Sequence, residues 1–126
     1  MSRLTRFRGG TIHDNAVRKS AAYTVVVNTD SGKTFVTNTT MVFTLPSIAV
    51  GEVYEFIYDG EDGAGQLSVS PAALDGITYV GDATDDKDII NTLATAKHGD
   101  RITVASLDGV VSWQITDAKG VWAKEA

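Results

Sequence analysis

Apolar positions in this chain alternate in short runs and do not recur at helical spacing. Residues 53–58 show it most clearly: Val53, Glu55 and Ile57 point one way, Tyr54, Phe56 and Tyr58 the other. The three aromatics form one wall, the expected core face. Similar runs predict strands at 23–27, 33–37, 41–45, 66–70, 77–80 and 121–124. Turn chemistry separates them. Asp30-Ser31-Gly32 caps local amides and permits positive φ, and Pro46 ends a strand because it cannot donate to a ladder. The segment 101–116 predicts a hairpin, with Ile102 and Val104 leading into Asp108-Gly109 and Val111, Trp113 and Ile115 leading out. Residues 88–96 suit a strand or irregular structure better than a helix. Eight or nine short strands with no long helix define an all-β class, as an antiparallel sandwich or barrel. A jelly roll is the first expected topology. No internal repeat is visible.

Residues 1–20 break this texture. Leu4, Phe7, Ile12 and Val17 follow neither period, and Gly9-Gly10 interrupts any helix. The expectation is an extended basic arm over 1–20 outside a β-sandwich domain over 21–126. Charge supports the division. Arg3, Arg6, Arg8, Arg18 and Lys19 against Asp14 give residues 1–19 a net +4, so the rest carries −9 of the chain's −5. Ordering such an arm costs roughly 1–2 kcal/mol per residue, more than burial of four apolar side chains returns. It therefore needs a partner that also pairs its backbone, such as a sheet edge. Fully extended, 20 residues reach about 65 Å, enough to latch neighbouring subunits. Arg3, Leu4, Arg6, Phe7, Arg8 and Ile12 are the candidate partner-binding residues.

The 126 residues suffice for one core, and none is cysteine, which excludes disulfides, thiol nucleophiles and cysteine-held metals. No run approaches the roughly 20 apolar residues that span a bilayer, and the basic start has no apolar stretch behind it. An acidic chain is a poor nucleic-acid ligand over most of its surface. The expectation is therefore no nucleic acid and no membrane as partners. Catalytic signals are weak. His13 and His98 have no nucleophile elbow for company, and no phosphate-binding loop occurs. Asp82, Asp85, Asp86 and Asp88 lack the spacing of a calcium loop and read as a solvated acidic stretch. Trp113 and Trp122 fit a core or subunit contact better than a sugar platform. No cofactor, metal or enzymatic activity is expected.

Four segments carry a resemblance: Asp30-Ser31-Gly32-Lys33-Thr34-Phe35, then Thr44-Leu45-Pro46, then residues 86–92 from Asp86-Lys87-Asp88, then Gly120-Val121-Trp122-Ala123-Lys124-Glu125. In this order they resemble small virion structural proteins of tailed bacteriophages, of the capsid decoration (cement) type. The resemblance spans residues 22–125 and leaves the arm outside. It implies a non-enzymatic protein on the capsid exterior that binds the major capsid protein at subunit junctions, as a dimer or trimer. The alternative it leaves open is a head- or tail-fibre module binding a receptor or carbohydrate.

Overall fold

The computed structural model describes residues 16–107 and 112–126. Its strands are β1 (Ala16–Arg18), β2 (Tyr23–Thr24), β3 (Thr34–Thr37), β4 (Met41–Thr44), β5 (Val53–Tyr58) and β6 (Leu67–Ser70). They continue as β7 (Gly76–Thr78), β8 (Ile89–Asn91), β9 (Asp100–Ala105), β10 (Ser112–Lys119) and β11 (Trp122–Lys124). A 3-10 turn, Leu93–Thr95, follows β8. Among the described residues no helix is long and apolar enough to cross a membrane.

Two sheets enclose the core, in the order β1-β3-β5-β9-β10-β7 and β11-β8-β6-β4-β2. The first six strands alternate between them. β1, β3 and β5 lie side by side and parallel in one sheet, and the intervening β2, β4 and β6 do the same in the other. This half of the chain is a coil of three turns wound through both sheets. The register advances 18 residues from Ala16 to Thr34 and 21 from Thr34 to Glu55. β9 then closes onto β5 antiparallel, from Val53↔Ala105 to Tyr58↔Asp100. β10 returns along β9 with a register shift between Ile115 and Asp117.

The all-β sandwich expected from the sequence is thus present, but its sheets are mixed. Five strand pairs are parallel and four antiparallel among the described residues. That corrects the antiparallel expectation, and a jelly roll, built from antiparallel strands, does not describe this pairing. The physical reason is the short interlayer loops. A strand that crosses to the other sheet and back must return parallel to itself.

The expected boundary at residue 20 also moves. Ala16–Arg18 is the edge strand of the first sheet, Lys19 N–H donates to Val36 O (3.0 Å), and Val17 packs against the core. Arg18 further forms a two-pronged ion pair with Asp59. The last part of the expected arm is therefore body.

The core is aromatic. Phe35, Phe43 and Phe56 meet with ring centroids 4.9–5.7 Å apart, and Tyr54 packs on Trp113 at 5.6 Å. Tyr54, Phe56 and Tyr58 are wholly buried, as the alternation in 53–58 requires.

Candidate functional site

The two sheet margins differ. At one, β7 and β11 are the terminal strands, and they are tied together. Lys124 reaches from β11 to donate to Ile77 O (2.6 Å) and Asp82 O (3.1 Å). The chain after β7 folds back over the edge through the bridges Tyr79↔Asp82 and Gly76↔Asp85, and Asp86 N–H donates to Asp75 O. Gly76 lies so close to the Ala83 carbonyl that a Cβ would collide with it. The Asp82, Asp85, Asp86 and Asp88 stretch therefore belongs to a margin seal. Asp82 accepts from the Thr84 hydroxyl and amide, which hold its carboxyl below the usual range. Burial pushes Asp88 the other way, aided by Glu125 and Asp86.

At the other margin β1 and β2 are terminal. No described segment folds over β1, which is three residues long and carries exposed Arg18. The candidate residues Arg3, Leu4, Arg6, Phe7, Arg8 and Ile12, together with His13, precede this strand and lie outside the described residues. Because Ala16 pairs with Thr34, the first residue of β3, the segment 1–15 joins the body at the end where β3, β5 and β7 begin.

An open depression of about 640 Å³ sits at the opposite end, lined by Asn38, Asp59, Gly60, Glu61, Asp62 and His98. Its groups hold one another. His98 donates its backbone N–H to Asp62 Oδ1 (3.0 Å), and its Nδ1 lies 2.9 Å from Asp59 O. Asp59 is bound by Arg18, whose hydrogen bonds and charge keep its carboxyl below the usual range. His98 thus ties its turn to the Asp59–Asp62 loop. No nucleophile stands beside it among the lining residues.

Trp113 and Trp122 are buried, and Trp122 Nε1 donates to Lys119 O (3.0 Å), so neither ring offers a stacking surface. Of the motif segments quoted above, Asp30, Phe35, Leu45, Asn91 and Trp122 are all buried.

The sequence reading missed a set of buried carboxylates. Asp30 accepts from the Tyr23 hydroxyl (2.7 Å), Val26 N–H (2.9 Å) and Lys33 Nζ (3.0 Å). Glu52 accepts from the Tyr54 hydroxyl and Asn28 N–H. Asp75 accepts from Ile48 N–H (2.8 Å), and Asp100 from Asn91 Nδ2 (3.0 Å) and Lys97 N–H (2.9 Å). Each pins a loop by satisfying donors that burial would otherwise strand. The available signal was an acid within two residues of a glycine: Asp30 before Gly32, Glu52 after Gly51, Asp75 before Gly76 and Asp100 after Gly99.

No protein-family model and no curated protein sequence matches this chain.

Proposed function

We propose that this is a non-enzymatic decoration protein of a tailed-phage capsid, with the basic segment 1–15 as its shell-binding strap. The observation that carries the reading is the unequal treatment of the two sheet margins. One is sealed by Lys124 and residues 79–86, whereas the other ends in a short strand that no described segment covers and that follows Arg3, Arg6 and Arg8 in the sequence. An uncovered sheet edge accepts an added strand, and a contiguous basic segment adds attraction to an acidic surface. The major capsid protein is the proposed partner, contacted from the outside of the shell. A fibre module that binds sugars has less behind it, because both tryptophans are buried.

The test is deletion of residues 1–15. The shortened chain, checked first for an unchanged circular dichroism spectrum, is mixed with undecorated shells and its binding measured. The expected result is a loss of affinity of at least about tenfold, the loss of one good contact group. Unchanged binding would remove the strap from the mechanism.

A further inference from the structure

The edge strand β1 is held differently from the strands of its own sheet. β3, β5, β7, β9 and β10 each send a wholly buried side chain into the core: Phe35, Phe56, Ile77, Ile102 and Trp113. β1 sends only the half-buried Val17, between exposed Ala16 and Arg18. Charge supplies what burial does not. Arg18 reaches past β3 to Asp59, just beyond β5, with Nη1 3.0 Å from Oδ1 and Nη2 on Oδ2. Lys19 sets its ammonium 3.9 Å from the centre of the Tyr23 ring, a cation–π contact.

The carboxylate that receives Arg18 is fixed in advance. Asp59 N–H donates to Thr37 O (2.9 Å), and its own carbonyl lies 2.9 Å from His98 Nδ1. Gly60 lies so close to the Tyr58 hydroxyl and the Asn38 carbonyl that a Cβ would collide with both. The Arg18 side chain, by contrast, stands on a three-residue edge strand and is 54% exposed. Salt screens an exposed ion pair, whereas it does not screen the burial of an aromatic core.

We propose that β1 is a releasable latch, closed by the Arg18–Asp59 pair and by Lys19 on Tyr23, that opens while the rest of the body stays folded. β3 keeps its place without it. It pairs with β5 from Thr34↔Glu55 to Thr37↔Tyr58, and Phe35 anchors it in the core. Opening therefore withdraws no wholly buried side chain, and segments with few buried apolar contacts are the first to open. The open state bares the edge of β3. It also returns the charges of Arg18 and Lys19 to the basic segment before them and extends its reach by residues 16–19, about 13 Å. The inference does not rest on the capsid reading, because opening is measured with no shell present.

The experiment is amide hydrogen exchange by NMR on the full chain, with rates corrected for local sequence. The reporter is Lys19 N–H, which donates to Val36 O, and the reference is Glu55 N–H, which donates to Lys33 O across the β3–β5 seam. Lys19 should exchange at least about 100-fold faster than Glu55. Asp59→Asn should speed Lys19 a further fivefold or so, roughly the upper end for an exposed pair, and leave Glu55 unchanged. Raising sodium chloride to about 0.5 M should speed Lys19 in the wild type but barely in the variant. Arg18→Gln alters only an exposed side chain and should match Asp59→Asn, which keeps the question answerable if the latter folds poorly. The double variant should be no faster than either single one. Lys19 exchanging as slowly as Glu55 would mean that β1 opens only with the whole body, and overturns the proposal. A Lys19 rate that neither variant moves, or variant effects that simply add, would overturn it too.

Discussion

Asp30 shows how one side chain organises this molecule. It begins the turn before β3, yet it is almost wholly buried. Desolvation acts to raise its pKa, but the Tyr23 hydroxyl, the Val26 amide and the Lys33 ammonium outweigh it and hold the carboxyl below its usual range. Asp30→Ala leaves the partly buried Tyr23 hydroxyl and Val26 amide without their acceptor and should cost about 1–3 kcal/mol in urea unfolding. Lys33→Ala removes only a partly exposed partner and should cost under about 1 kcal/mol. The pH dependence follows from the sign of the shift. The unfolded carboxyl binds its proton near pH 3.9, the folded one only at lower pH. Its stabilisation is therefore complete above the unfolded value and is lost as pH falls through the folded one. Asp59, held by Arg18, acts in the same direction, and Asp88, raised by burial, acts against both. Between about pH 6 and pH 3, the range in which carboxylates titrate, the melting temperature of Asp30→Asn should fall less than that of the wild type. An equal fall in both would show that Asp30 is not a main source of acid sensitivity.

Glycines separate elements that close by contact from elements that merely turn. Gly32 has φ +78° and open space where a Cβ would stand, whereas Gly76 would drive a Cβ into the Ala83 carbonyl. Gly32→Ala should thus cost about 1 kcal/mol of backbone strain. Gly76→Ala should cost about 2–3 kcal/mol through overpacking and loosen the seal over β7. Equal losses in chemical denaturation would contradict this account of the sealed margin. The strands themselves were legible because alternation is local. Tyr54, Phe56 and Tyr58 announce β5, and Ile102, Val104 and Trp113 announce the pair β9 and β10. Pairing was not legible. Nothing in Thr34–Thr37 or Met41–Thr44 states that each is flanked by parallel neighbours, because the pattern of one strand records which face is buried and not which strand lies beside it. The turns of the coil also differ in length and composition, so no repeat marks them. β1 was missed for a related reason: with only Val17 pointing inward, three residues are too short to show a period. The margin that no described segment covers was half legible. The basic residues stood out in the sequence, but the edge they lead into exists only once β1 has paired with β3.

At the scale of the molecule the question is whether the three-turn coil, residues 16–70, and the later strands are two structures or one. A parallel coil leaves an open edge after its last turn, and an open edge needs a cap. β9 supplies it, pairing along all six residues of β5. In the other sheet β8 pairs with β6, and the strands from β8 onward extend both walls of the same core. Trp113 on β10 packs against Tyr54 on β5, while Ile89 and Trp122 join Phe35 and Phe43 in one buried cluster. Neither part can unfold without exposing the other's core, so the body should melt as a single cooperative unit. Both tryptophans lie in the later strands where these pack on the coil and report on that seam, whereas far-ultraviolet circular dichroism reports on every strand. The two signals should therefore give the same midpoint and the same slope in urea, a slope of about 1–3 kcal/mol per molar. A tryptophan transition that precedes the loss of β signal would mean that the coil stands without its cap, and the sandwich would then be two stacked units sharing a surface.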